Sequence, residues 1–120
     1  MQGEQKITKH INFEALNPFT GNNENFAKQL IAALLSEMQH FLTTIKEAPS
    51  PADIEIFRNA NHRITPSLKM LEMHMLIEAI SAYKNACMND SEDIAACARN
   101  VSTLLLQVID EAKQWTESQI

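Results

Sequence analysis

The chain has 120 residues, which suits a single domain able to bury one continuous core without disulfides or metal. Hydrophobic residues make up 45% of it, yet it has only 2 Gly and 4 Pro, too few turn formers for a many-stranded β architecture, so a few long helices are expected. A net charge of −5, an isoelectric point near 5.3 and the lack of any long Lys/Arg run oppose sequence-independent attraction to nucleic acid or an anionic membrane, leaving a protein partner or a small ligand.

Residues 1–9 (MQGEQKITK) are polar and unpatterned, and are expected to form a flexible arm. The start has no continuous apolar core of the kind a signal peptide carries. No apolar run elsewhere approaches the ~20 residues of a membrane span, so a cytoplasmic location is expected. Ile11, Phe13, Ala15 and Leu16 then place apolar groups on a short helical segment. Asn17-Pro18 is expected to end it, because proline disfavours helix in the residue before it, and Gly21 suits a turn.

A first long helix is predicted from Asn22 or Asn23 as N-cap, with Glu24 in the first turn at the positive end of the dipole. Its apolar stripe reads Phe26, Leu30, Ala33, Leu34, Phe41 and Ile45, widened by Ile31, Leu35, Met38 and Leu42. Such breadth suits packing against two neighbours. Ala48-Pro49-Ser50-Pro51 stops it. Ser50 as N-cap, Pro51 at the first helical position and Asp53 in the first turn open a second helix, in which Ile54, Phe57, Ala60, Ile64, Leu68 and Leu71 recur every three or four residues.

Periodicity resumes with Met73, Leu76, Ile80, Tyr83 and Cys87 and breaks at Met88-Asn89-Asp90-Ser91. With Ser91 as start signal and Glu92 and Asp93 in the first turn, a last helix is predicted through Ile94, Cys97, Ala98, Val101, Leu105, Val108, Ala112 and Trp115, extending to Glu117. Cys87 and Cys97 stand ten residues apart, with no Cys-x-x-Cys and no His cluster to complete a metal site, and are expected to be reduced, half-buried thiols. Short connections favour antiparallel neighbours, so the predicted fold is all-α: an antiparallel up-down-up-down four-helix bundle over residues 10–118 with a short N-terminal helix laid across it.

On the second long helix, the complement of the apolar stripe is Glu55, Arg58, Asn59, His62, Arg63, Pro66 and Lys69. His62 therefore points to solvent. Arg58 lies one turn before it, Thr65 and Pro66 one turn after, and Lys69 two turns after, so a dianionic group on His62 would meet cations and a hydroxyl. Pro66 has no N–H for the carbonyl of residue 62 and its ring crowds that carbonyl, which centres a kink on the histidine and opens one flank to a partner's backbone. Exposure and room for in-line approach are what nucleophilic attack by a neutral imidazole on a phosphoryl donor requires. No triad pattern, Gly-rich phosphate loop or carboxylate cluster for Mg²⁺ accompanies it, so intrinsic ATP-driven chemistry is not expected. His10, His40 and His74 lack such neighbours and read as ordinary surface residues.

From about residue 11 to 116 the chain resembles the histidine-containing phosphotransfer (HPt) domain, the helical relay module of multistep two-component signalling. INFEALNPFTGNNENF is similar to the family's opening helix and turn, passing through Gly21 to Phe26. Against the family's Ala-His-x-x-Lys-Gly followed by an apolar helix, this chain has Asn61-His62-Arg63-Ile64-Thr65-Pro66-Ser67-Leu68, then Met70-Leu71. His62 matches the phosphoacceptor, Ile64 and Leu71 the apolar positions, and Pro66 stands where Gly is usual, as in a Bacteroidetes-type variant.

The resemblance implies a phosphorelay intermediate. His62 takes a phosphoryl group from the aspartate of a receiver domain, carries it on Nε2 and passes it to another receiver. It further implies a monomer without its own cofactor or metal, response-regulator receivers and a hybrid histidine kinase as partners, and Mg²⁺ on the receiver. Two departures stand out. Thr65 occupies the place of the family lysine, and Lys84 falls on the neighbouring helix where Gln or Glu is common. Either Lys84, with Lys69 or Arg58, restores the lost positive charge from another direction, or it stays solvated and the site is weaker. The competing reading is a pseudo-HPt module that docks receivers or a kinase without accepting phosphate. Met70, Met73 and Met75 are candidate docking side chains, Met73 being the one expected in the core.

Overall fold

The computed structural model describes residues 10–118, and the expected arm over residues 1–9 lies outside the described residues. Every regular element among the described residues is helical: a 3-10 turn Phe13–Leu16, α1 (Asn17–Thr20), α2 (Glu24–Thr43), α3 (Pro51–Met70), α4 (His74–Met88) and α5 (Ile94–Ser118). The four long helices pack in a closed ring, α2 on α3, α3 on α4, α4 on α5 and α5 back on α2.

Each long helix contributes one apolar stripe to the shared core. Ile31, Met38 and Phe41 come from α2, Phe57, Ile64 and Leu68 from α3, Leu76, Ile80 and Tyr83 from α4, and Val101, Leu105 and Val108 from α5, all of them buried. Burial of each large side chain contributes about 1.5–3 kcal/mol relative to exposure. The phase of α2 differs from the predicted stripe. Ala27, Ile31, Leu34, Met38 and Phe41 are buried, whereas Phe26 is 43% exposed and Ala33 is exposed. Spacings of four and three from Ala27 keep one face inward, and Phe26 sits a full residue rotation away from it.

Side chains cap the starts of two helices. Asn23 Oδ1 accepts from the Phe26 N–H at 3.1 Å. Ser50 Oγ accepts from Asp53 N–H at 3.1 Å while Asp53 Oδ2 accepts from Ser50 N–H at 2.9 Å, a reciprocal capping box. The backbone N–H of Ser50, then its hydroxyl, hold the Asp53 carboxyl below its ordinary range. α5 begins later than its first acidic residues suggest. Ser91 Oγ accepts from Asp93 N–H at 3.0 Å in a local turn, and the helix runs from Ile94.

The helix ends explain how so few glycines suffice. α3 closes with Glu72 in the left-handed region (φ 58°). Met73 N–H donates to the Leu68 carbonyl at 3.0 Å and Glu72 N–H to the Lys69 carbonyl at 3.1 Å, a Schellman closure. α4 ends the same way on Asp90 (φ 50°), with Ser91 N–H donating to the Ala86 carbonyl at 2.9 Å.

Pro18 does not stop the N-terminal segment as expected. It occupies the first turn of α1, where a missing N–H leaves no helical acceptor unpaired. Ahead of it, Asn12 N–H donates to the Leu71 carbonyl at 3.0 Å and Asn12 Nδ2 to Glu72 Oε1 at 3.0 Å. Phe13 stacks on Trp115 with centroids 4.9 Å apart. One carboxylate oxygen, Glu111 Oε1, accepts from both His10 N–H (3.1 Å) and Ile11 N–H (3.3 Å). The segment thus ties the α3–α4 turn to α5.

Tyr83 makes the corresponding tie at the α2–α3 connection. Its hydroxyl donates to the Lys46 carbonyl at 2.7 Å and accepts from the Lys46 N–H at 3.0 Å. Burial pushes the phenol up to about 12, and it also pushes the Cys87 thiol up. Because the folded Tyr83 value exceeds the unfolded one, its contribution is whole below pH ~10 and is lost as pH rises toward the folded value. Tyr83→Phe is expected to lower stability by about 1 kcal/mol near neutrality, since it removes both hydrogen bonds to the Lys46 main chain. Urea denaturation from pH 8 upward should also show a shallower alkaline decline than wild type.

Candidate functional site

The site is built on α3 by exclusion. Phe57, Ala60, Ile64 and Leu68 are drawn into the core, so the opposite ridge of the helix faces solvent and His62 is exposed on it. Pro66 lies inside the helix, which nevertheless runs unbroken from Pro51 to Met70. Its missing N–H leaves the His62 carbonyl without a main-chain helical donor. Both residues are exposed, so this acceptor is open to water or to a partner's donor.

Around His62 is an open depression of about 660 Å³ lined by Glu55, Arg58, Asn59, Asn61, His62, Thr65, Pro66 and Lys69 of α3 and by Lys84 of α4. All six residues singled out from the sequence, Arg58, His62, Thr65, Pro66, Lys69 and Lys84, come together here. Arg63 does not join them. It is exposed on the α2 side of α3 and borders a smaller recess of about 180 Å³ with Ser36, Glu37 and His40.

The local charge opposes that of the whole molecule. Three cations, Arg58, Lys69 and Lys84, and one carboxylate, Glu55, line the depression, a balance of +2 with His62 neutral in a chain of net −5. Among the described residues none of the three cations takes part in an ion pair; the pairs formed are Arg99–Glu47 and His10–Glu111. The positive charge is therefore available to an anionic ligand.

Thr65 is half-buried, and its hydroxyl is turned back on its own helix. Oγ1 donates to the Asn61 carbonyl at 2.6 Å and lies 3.1 Å from Asn61 Oδ1. Asn61 was not among the predicted site residues. The signal that could have found it is its position four residues before a threonine, where such back-bonding is common. Among the described residues no group of His, Cys, Asp and Glu is arranged to hold a metal ion.

The remaining histidines divide. His40 and His74 are exposed, whereas the His10 side chain is only 6% exposed. Its Nε2 lies 3.0 Å from Gln107 Oε1 and 3.8 Å from Glu111 Oε2, so it is a packing and hydrogen-bonding residue rather than a surface one. Met73 is buried, Met70 half-buried and Met75 59% exposed, and both cysteines are free, Cys87 buried and Cys97 half-buried.

Comparison with protein-family models, with curated proteins and with solved structures gives no match.

The difference between the histidines is directly measurable. Brief carbethoxylation with diethyl pyrocarbonate, followed by peptide mass spectrometry, should modify His62 at a rate like that of His40 and His74 and leave His10 several-fold slower. A His62 as slow as His10 would contradict the open ridge.

Proposed function

We propose that the chain is a phosphorelay intermediate of the HPt kind, an antiparallel up-down-up-down bundle acting as a cytoplasmic monomer on receiver-domain partners. The observation that carries this reading is the exposed His62 one turn before Pro66 on α3, in a depression whose three cations form no ion pair among the described residues.

In the proposed step the neutral imidazole uses its Nε2 lone pair to attack the phosphorus of a partner's aspartyl phosphate. An N–P bond forms, the P–O bond to the aspartate breaks, and the aspartate leaves as carboxylate with the electron pair. The imidazole Nδ1 releases its proton to solvent. The reverse sequence delivers the group to a second receiver. Arg58, Lys69 and Lys84 face the charge spread over the equatorial phosphoryl oxygens, where positioning and electrostatics supply most of the catalysis. Mg²⁺ belongs to the partner in this scheme, and this chain contributes the nucleophile and its positioning. The open flank at Pro66 gives the partner's backbone room to approach the His62 carbonyl.

Incubation with a phosphorylated receiver should place acid-labile, alkali-stable phosphate on the chain, and His62→Gln should abolish it. Equal labelling of that variant would overturn the assignment. Thr65, in the lysine position, favours one competing reading, a docking module without transfer. That reading predicts receiver binding that survives His62→Ala and no movement of phosphate in either direction.

Lys84 carries a separate expectation. If it supplies the charge that Thr65 does not, Lys84→Ala should slow transfer about fivefold, the equivalent of about 1 kcal/mol. Thr65→Lys in the same background should recover part of that loss. Rapid-quench time courses that show neither change would leave Lys84 a solvated bystander.

A further inference from the structure

The proposed phosphotransfer leaves one part of the depression unused. Asn61 is half-buried directly before His62 and lines the same surface. The Thr65 hydroxyl shares its single proton between the Asn61 main-chain carbonyl, at 2.6 Å, and Asn61 Oδ1, at 3.1 Å. In this arrangement the side-chain amide presents its oxygen to Thr65. Its Nδ2, the other end of the planar amide, is directed away and makes no hydrogen bond among the described residues. Its two amide protons are left for solvent or a ligand. Asn61 lines a depression that also holds three cations with no ion pair among the described residues.

We propose that Asn61 Nδ2 donates a hydrogen bond to a non-bridging oxygen of the phosphoryl group carried on His62, and that Thr65 is the positioning residue that aims it. The inference rests on the phosphotransfer reading and deepens it. A neutral amide held by a hydroxyl four residues later performs, from the same helix, part of the task the resemblance assigns to a lysine. Thr65 is then not a defect in the motif. It is one half of a two-residue device, and its own hydroxyl need not touch the phosphate. A pre-aimed donor requires no reorganisation when charge develops on the equatorial oxygens, which is what makes such groups effective.

Four variants and one spectroscopic measurement test the proposal. Asn61→Ala should slow transfer from a phosphorylated receiver to His62 about tenfold, the scale expected for losing one charge-assisted hydrogen bond. Asn61→Asp, which keeps the shape but replaces the donor with negative charge, should be at least as slow. Thr65→Val should be slow and Thr65→Ser close to wild type, while receiver binding in the unphosphorylated state stays within about twofold throughout, as expected for an interaction made mainly with the phosphoryl group. In the wild-type chain, phosphorylation of His62 should move one of the two Asn61 side-chain amide ¹H signals downfield well beyond its geminal partner and slow its exchange with water, an asymmetry that nearness to charge alone would not give and that does not depend on any variant folding.

Labelled wild type whose two Asn61 amide signals move alike or not at all, or Asn61→Ala transferring at the wild-type rate, overturns this proposal alone. Wild-type chain that takes no label at all overturns the phosphotransfer reading, and this proposal with it.

Discussion

The Phe57 ring is where three of the helices meet. Its centroid lies 5.7 Å from Phe41 of α2 and 4.9 Å, edge-on, from Tyr83 of α4. All three rings are at most 1% exposed. Aromatic pairs of this kind add about 0.5–1.5 kcal/mol each beyond their buried area, but their larger effect is geometric. Once residue 57 is held inward, the helical repeat leaves no choice about residues 58 and 62: they emerge on the solvent side. Once Tyr83 is held by Phe57 on one side and by Lys46 through its hydroxyl on the other, Lys84 comes to the rim of the α3 depression. The residues that line the site are thus positioned by the core beneath them.

Pro66 fits that frame on one face only. A proline in a helix interior costs roughly 3 kcal/mol through the lost hydrogen bond and the steric clash. If the unpaired carbonyl pointed into the core, the burial of an unsatisfied acceptor would add to that. On the ridge opposite Ile64 and Leu68 the carbonyl belongs to exposed His62, where solvent can satisfy it. Buried Ile64, Leu68 and Leu71 hold the helix on both sides of the interruption, and the Schellman closure at Glu72 fixes its end. The lost hydrogen bond therefore falls on the exposed surface where His62 stands.

The extent to which all this could be read beforehand follows from how local each determinant is. The α3 stripe and the Ser50 cap depend on spacing within one helix, and both were legible, as was the ridge carrying Arg58, His62, Pro66 and Lys69. The rotation of α2 was less so, because Phe26 and Ala27 are adjacent and hydrophobicity alone favours the larger side chain. Which of them is buried depends on the neighbours of α2. The ends of α3 and α4 were legible as breaks in periodicity, after Leu71 and at Met88-Asn89-Asp90-Ser91, but the left-handed conformation of Glu72 and Asp90 that closes them was not. Tertiary contacts hold non-glycine residues in a conformation for which glycine is the usual signal. The roles of His10 and Asn61 lay further out of reach. The first depends on Gln107 and Glu111, almost a full chain length away. The second depends on a side-chain orientation that no periodicity encodes.

The charge pattern bears on how a partner would be chosen under the proposed reading. At long range an acidic chain of net −5 repels other acidic proteins, but at physiological ionic strength charges separated by more than ~8 Å are largely screened. What survives to contact is the local field, and at His62 that field is positive because Arg58, Lys69 and Lys84 outnumber Glu55. An acidic partner therefore gains from one orientation, the one that brings its anionic group into the depression, and loses from most others. Electrostatics arranged in this way contributes more to orientation and discrimination than to raw affinity. A carrier that must release its group to a second partner benefits from that division, since tight generic binding would slow departure while a phosphate-centred contact weakens when the phosphate leaves.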